Sequence, residues 1–320
     1  MHQIEDTYGR SFKTLRVSLL NSCNLGCVYC VAGDDNFLKK NNLTSTHQSG
    51  AQELLPIIKK LDDVLQLETI RLTGGEPLLY HDLIHLVEGI KSIGITAIKL
   101  TTNGFLLQRM AKPLKDAGMQ SINVSLDSVD EDVFFLMSKR SNVQRIINGI
   151  DEAIDAGLKV KINSVIMKGI NDKQILPLLQ FAFERNISIR FLEVMAMGHL
   201  YQNAEKYLFT QQEILDVIAE KYSFQHIKRN ASSTANYWET NQQNVFGIIA
   251  NESEPFCHDC NRLRLDSSGN IYGCLSSNNP ISLTNIEDDK VLREKLMQAL
   301  LQKQPAKFTG SALSMLQIGG

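Results

Sequence analysis

The 320-residue sequence predicts an α/β fold: an incomplete (βα)6 barrel or an open doubly wound sheet, followed by an α+β extension. Three observations predict it. From residue 14 to about 195, six short apolar β-type runs alternate with stretches of helical periodicity. The runs recur roughly every 25 to 30 residues, the spacing that parallel strands joined by crossover helices require. After Met195 the alternation stops, and shorter mixed elements follow.

The runs are TLRVSLL (14–20), TIRLTG (69–74), AIKLTTN (97–103), SINVSLD (121–127), KVKINSVI (159–166) and ISIRFLEV (187–194). Runs such as INVSL are expected of strands buried on both faces. Ser49 or Thr46 is placed to cap a helix through QELLPIIKKLDDVLQL, and Asp172 to cap KQILPLLQFAFER. Six units are too few for a closed eight-stranded barrel, but in either arrangement the working surface is the carboxyl edge of the strands. Later segments suggest a helix at TQQEILDVIAEKY and a strand at NVFGIIA. Then come a hairpin turning at SSGN between LRLD and IYGC, a helix at EDDKVLREKLMQALLQK, and an irregular tail ending in GlyGly.

Lys plus Arg number 33 against 35 Asp plus Glu, a net charge of −2, so no overall field favours nucleic acid or an acidic membrane. Any basic site must be local. The start, MHQIEDTYGR, lacks an apolar signal core, and no apolar run approaches a bilayer-spanning length. A soluble cytoplasmic protein is expected.

Unusual residues gather at the carboxyl edge. Arg16 lies on the first strand, and a cysteine-rich loop comes just after it. GGEP, TTNG and SLD follow the second, third and fourth strands; Lys161 is on the fifth, and Arg190, Glu193 and Met195 mark the sixth. An unpaired cation on a barrel strand is costly. An anion in the barrel mouth would explain Arg16, Arg71 and Lys161 together; ion pairs with Glu76, Asp127 or Glu193 are the alternative.

All six cysteines fall in two groups, Cys23, Cys27 and Cys30 in CNLGCVYC, and Cys257, Cys260 and Cys274 near the end. Such short spacings, in a chain without a secretion signal, point to metal or redox chemistry more than to disulfides. Three thiolates can hold three irons of a [4Fe–4S] cube and leave the fourth iron open to a small molecule. A zinc knuckle with a distant fourth ligand, or a CxxC redox pair, fits the first spacing as well. For the second group the alternative is zinc with His258 or Asp259 as fourth ligand. Between those cysteines, NRLRL puts Arg262 and Arg264 on one side of a strand, where two guanidiniums suit a polyphosphate; a solvent-facing strand edge with paired arginines is the alternative.

CxxxCxxC with Tyr29 before its last cysteine, set after the first strand of a βα array with GGEP after the second, resembles the radical S-adenosylmethionine (SAM) superfamily. More narrowly, the chain resembles the GTP 3′,8-cyclase family of molybdenum-cofactor biosynthesis. The carrying segments are DTYGRSFKTLRVSLLNSCNLGCVYC, RLTGGEPLL, LTTNG, INVSLDS, KVKINSVIMKGIND, RFLEVMAMG, FCHDCNRLRL and QIGG, which together span nearly the whole chain. The family's Met-Pro after the third cysteine is Val31-Ala32 here, and residues 32–48 look polar and lid-like.

The resemblance implies a radical SAM partial barrel over 1–200 and a C-terminal α+β domain over 201–320 that carries a second Fe–S site. It implies two [4Fe–4S] clusters, with Cys23, Cys27 and Cys30 on the first and Cys257, Cys260 and Cys274 on the second. Tyr29, Gly75, Ser125 and Met195 match positions that contact SAM. Arg16, Arg71, Thr101, Lys161, Arg262, Leu263 and Arg264 match positions that contact GTP, and the tail would reach toward the active site. The implied reaction gives (8S)-3′,8-cyclo-7,8-dihydroguanosine 5′-triphosphate. Implied partners are GTP, an electron donor such as flavodoxin or ferredoxin, and cyclic pyranopterin monophosphate synthase as recipient of the product; neither nucleic acid nor membrane is expected, and a homodimer is allowed. Two other readings stand beside it: a two-cluster radical SAM enzyme acting on a peptide, and a non-enzymatic zinc scaffold.

Overall fold

All six runs form strands: β1 (Thr14–Ser18), β2 (Thr69–Thr73), β3 (Ala97–Thr102), β4 (Ser121–Ser125), β5 (Lys159–Ile166) and β6 (Ser188–Glu193). They come from a computed structural model that describes residues 4–32 and 49–318. The candidate cap Thr46, the lid-like stretch beyond Ala32 and the closing GlyGly lie outside the described residues. Helices α1 (Ala51–Leu65), α2 (Leu83–Ile93) and α3 (Leu107–Ala117) make the first crossings. The pair α4 (Glu131–Ser138) and α5 (Val143–Asp155) joins β4 to β5, and α6 (Ile175–Glu184) joins β5 to β6.

The later residues add α7 (Gln211–Ala219), β7 (Phe224–Ile227), β8 (Asn236–Thr240), β9 (Val245–Ile249), β10 (Arg262–Leu265), β11 (Asn270–Tyr272), β12 (Ile281–Ser282), α8 (Asp289–Leu300) and a short α9 (Met315–Ile318). They extend the first sheet on both sides. Among the described residues the strand order is β12-β11-β10-β1-β2-β3-β4-β5-β6-β9-β8-β7. Because β10 runs parallel to β1 and β9 parallel to β6, eight adjacent strands are parallel. The end strands β12 and β7 do not pair with each other, so the barrel is incomplete, as the sequence predicts.

The strands are covered on both sides, but only the outer face is apolar. Leu15, Val17, Ile70, Leu72, Ile98, Leu100, Ile122, Val124, Ile162 and Ile189 are buried in one continuous core. Each contributes roughly 1.5–3 kcal/mol by leaving water. The alternate positions, which point into the barrel, are Arg16, Arg71, Lys99, Thr101, Asn123, Ser125, Lys161, Asn163 and Arg190. The inner face is a polar lining, and it carries the Arg16, Arg71 and Lys161 that the sequence places on the barrel strands.

Two expected caps are corrected. Gly50 is the N-cap of α1 and supplies no side-chain bond; Asp82 reaches over to accept from the Ala51 amide at 2.8 Å. Asp172 lies in a 3-10 turn before α6 and accepts from Gly169 N and Lys173 N, so it closes the preceding loop. Elsewhere the local signals hold. Thr210 and Glu213 form a capping box on α7, and SSGN turns the β10–β11 hairpin with Gly269 at φ +78°. Among the described residues no helix is long and apolar enough to cross a membrane.

Candidate active site

The loop after β1 is clasped from three sides. Gly75 N donates to Leu20 O at 2.7 Å and Glu76 N to Ser22 O at 2.9 Å, which binds GGEP to the start of the cysteine loop. Gly26 N and Val28 N donate to Ser138 O and Met137 O at the end of α4. From the loop after β3, the Asn103 amide donates to Asn24 Oδ1 at 2.7 Å and lies 3.6 Å from Cys23 Sγ. A Cβ at Gly75 would overlap the Ser22 carbonyl oxygen and carbon. The missing side chain therefore serves the passage of the cysteine loop.

Glu76 and Asp127 secure the same region. Glu76 is fully buried; its carboxylate accepts from Leu78 N, Thr102 Oγ1 and Asn103 N, tying the β2 loop to the β3 loop. Burial raises it to about 7 against these bonds. Asp127 accepts from Tyr29 Oη at 2.9 Å and Val165 N at 2.8 Å, and burial raises it to about 6. Burial, then Glu76, pushes the Cys23 thiol up to about 12; Cys27 is raised by burial and then by Cys30, and Cys30 by burial and then by Cys23.

The second cysteine group surrounds the start of β10. Cys257 and Cys260 sit on a 3-10 turn, and Cys274 follows β11. Arg10 pins the turn by donating to Cys257 O at 2.6 Å while paired with Asp6. Lys303, just after α8, donates to Cys260 Sγ at 3.3 Å and to Arg262 O at 2.7 Å. Burial raises the Cys260 thiol, but Arg262 and Lys303 outweigh it and bring it down to about 6. Asp259 is held by Arg229 at 2.6 Å, and His258 Nε2 also faces that guanidinium. Asp259 also accepts from the Ser232 amide at 2.9 Å, so both candidate fourth ligands are engaged outside the thiol group.

All six cysteines are free, each triple is close enough for mutual electrostatic coupling, and the donors are soft thiols, so both triples fit an iron–sulfur cluster. Among the described residues no three Cys, His, Asp or Glu side chains close around one point as a single ion requires. Thiols carried to three separate irons need no such convergence.

Between the two triples lies the cationic lining. Sheet register sets Arg264, Arg16, Arg71 and Lys99 side by side across β10, β1, β2 and β3. Adjacent strands are about 4.8 Å apart, so this is a dense row of like charge. Lys161, over the Tyr237 ring at 5.6 Å, and Arg190 extend the lining on β5 and β6. Burial, then neighbouring cations, lowers Arg16, while Arg71 and Arg264 fall to about 10, burial again being the first cause. Among the described residues no carboxylate ion pair involves Arg16, Arg71, Lys99, Lys161 or Arg190. Arg190 is 9% exposed and lies against Tyr237; among the described residues its Nε and one Nη have no hydrogen-bond partner.

The carboxylates that could have neutralised the lining are engaged elsewhere. Glu76 and Asp127 are committed as described, and Glu193 accepts from Gln211 N, Glu252 N, Ser253 N and the Ser253 hydroxyl. Arg71 donates weakly to Thr101 Oγ1 and Leu100 O, both at 3.4 Å. Arg262 donates to Ser232 O, Leu263 faces the core, and Arg264 donates to Ile318 O in the tail.

Ser125 ends β4. Met195 packs with Met197, Tyr272, Phe308 and Ile318, and Ser311 bonds back to Ala196, which brings the described part of the tail to the β6 edge. The sequence reading missed Lys99, although its alternation with Thr101 marks it as inward-facing. Lys303, Arg10 and Tyr237 carried no local signal and are brought in only by folding.

Family models match both halves: the Radical SAM superfamily over residues 17–182, and Molybdenum Cofactor Synthesis C over 187–309. A GTP 3′,8-cyclase of Synechocystis sp. is 37% identical over 316 residues, covering 98% of this chain and 94% of its own length. The chain belongs to the GTP 3′,8-cyclase family. A relative of the same name from Staphylococcus haemolyticus is 35% identical, with 99% of both chains covered. Among solved structures, Streptococcus suis SuiB bound to S-adenosylmethionine superposes with a TM-score of 0.66 at 17% identity, covering 91% of this chain and 68% of that one. Native anSMEcpe with bound AdoMet gives 0.62 at 14% identity, covering 91% and 84%. These structural likenesses speak to the fold alone. As a radical SAM protein of this family, the chain uses SAM and iron–sulfur clusters.

Two outcomes follow from this geometry. Gly75→Ala should lose the iron of the first cysteine triple after anaerobic reconstitution, while far-UV circular dichroism and the iron of the second triple persist; full iron content would contradict the packing argument. Asp127 has an ordinary value near 3.8 and about 6 when folded, so its ionisation is penalised and the stability it allows falls as pH rises from about 4 to 6. In the cluster-free protein, Asp127→Asn should gain on the parent by up to about 3 kcal/mol between pH 4 and 7, read by denaturant unfolding. A pH-independent difference would contradict it.

Proposed function

We propose that the chain converts GTP to (8S)-3′,8-cyclo-7,8-dihydroguanosine 5′-triphosphate, the first step of molybdenum-cofactor biosynthesis. The observation that carries this reading is the inward cationic lining, in which Arg16, Arg71, Lys99, Lys161 and Arg190 have no carboxylate counter-ion among the described residues. A triphosphate supplies the missing charge in a form that guanidinium forks bind bidentately.

In this reading Cys23, Cys27 and Cys30 hold the cluster that engages SAM, and Tyr29, Gly75, Ser125 and Met195 shape its pocket. When bound and reductively cleaved, SAM would supply hydrogen-atom abstraction at C3′ of the ribose, so that C3′ could bond to C8 of guanine, with one further electron and one proton completing the 7,8-dihydro product. The protein's part is orientation and exclusion of water. Arg16, Arg71, Thr101, Lys161, Arg262, Leu263 and Arg264 hold the nucleotide, with its triphosphate on the lining and its base toward Cys257, Cys260 and Cys274. Tyr29, fixed by Asp127, keeps the first cysteine loop facing that space.

The electron comes from a donor such as flavodoxin or ferredoxin, and the product passes to cyclic pyranopterin monophosphate synthase. A cytoplasmic setting suits six free thiols. A barrel over 1–200 and a C-terminal domain over 201–320 is the division of labour that this reading uses.

The test is reconstituted protein with SAM, reductant and GTP. The cyclised nucleotide and GTP-dependent 5′-deoxyadenosine are expected. Arg71→Met and Lys161→Met should each weaken GTP binding about tenfold or more by calorimetry. Equal 5′-deoxyadenosine without GTP, no cyclised nucleotide, and unchanged affinities would overturn the assignment.

A further inference from the structure

The two cysteine triples have surroundings of opposite charge. Carboxylates lie beside the first: Glu76 acts on Cys23, and Asp127 on Cys27 and Cys30. Cations lie beside the second. Lys303 is 8% exposed, its ammonium is 3.3 Å from Cys260 Sγ and 2.7 Å from Arg262 O, and it sits 5.0 Å above the Phe12 ring. Among the described residues it makes no ion pair with a carboxylate. The charged groups around it are Arg262, Cys260 and Cys274.

A buried ammonium without a counter-charge is expensive, and the charge available here is that of the cysteine sulfurs. The carbonyl of Arg262 accounts for one donor of the ammonium but asks for no positive charge; the sulfur does. A cation and a hydrogen bond at a ligand sulfur favour the more negative, reduced state of a cluster, and so raise its potential.

We propose that Lys303 is a positioning residue that holds the cluster on Cys257, Cys260 and Cys274 at a more positive potential than the cluster on Cys23, Cys27 and Cys30. One protein can thereby keep a strongly reducing first centre beside a second one that stays electron-accepting. The proposal rests on the reading of the second triple as cluster ligands. That reading fails separately, if the full-length chain with Cys23, Cys27 and Cys30 all replaced by serine retains no iron after reconstitution.

In that same full-length background, Lys303→Met, Lys303→Gln and Lys303→Arg are compared by EPR-monitored redox titration, with iron counted in each. The midpoint should move to more negative potential in the Met and Gln variants, and return toward the parent value in the Arg variant. A purely structural lysine would lower iron content in the Met variant without moving the midpoint of the cluster that remains. An unchanged midpoint in the Met or Gln variant overturns the proposal. So does loss of the cluster from all three variants.

Discussion

The structure depends on an electrostatic debt inside its barrel. Arg264, Arg16, Arg71 and Lys99 stand at one register on four neighbouring strands, with Lys161 and Arg190 farther round. Like charges placed directly opposite one another destabilise a sheet. The outer face of the same strands, packed against the helices in one apolar core, offsets that repulsion. Hydrophobic burial on one face thus permits a binding surface on the other, and a single alternation of side chains along each strand writes both.

The carboxylates show that the imbalance is built in. Glu76, Asp127 and Glu193 all lie at the carboxyl edge, yet each is saturated by backbone amides, hydroxyls or Tyr29. They brace the loops that carry the first cysteine triple and the β6 edge. Had one of them turned inward, it would have offset a single charge of the lining and given up its bonds to the loops. Division of labour among charged residues therefore gives a rigid rim and a hungry interior.

Much of this was legible in the sequence, because the signals were local. The two cysteine triples, GGEP and the period-two placing of Arg16, Arg71, Lys161, Arg262 and Arg264 required only spacing and strand alternation. What stayed hidden depended on long-range pairing. No local feature of NRLRL says that β10 will lie against β1, yet that pairing puts Arg264 beside Arg16. Lys303 and Arg10 reach the second triple from opposite ends of the chain. The cap of α1 failed for a related reason: Asp82, remote in sequence, satisfies its start in place of a local hydroxyl. At Gly75 the need for a missing side chain comes from the close passage of the Ser22 backbone, which spacing in the sequence does not show.

The central claim is that the barrel interior awaits a polyphosphate anion independently of its clusters. It is tested most directly by thermal unfolding of the cluster-free protein against inorganic tripolyphosphate. A saturable rise in midpoint is predicted, diminished by salt and by Lys99→Met, because a ligand that binds only the folded state stabilises it by mass action. A midpoint that does not move with tripolyphosphate, or moves equally in the Lys99→Met protein, would contradict the account.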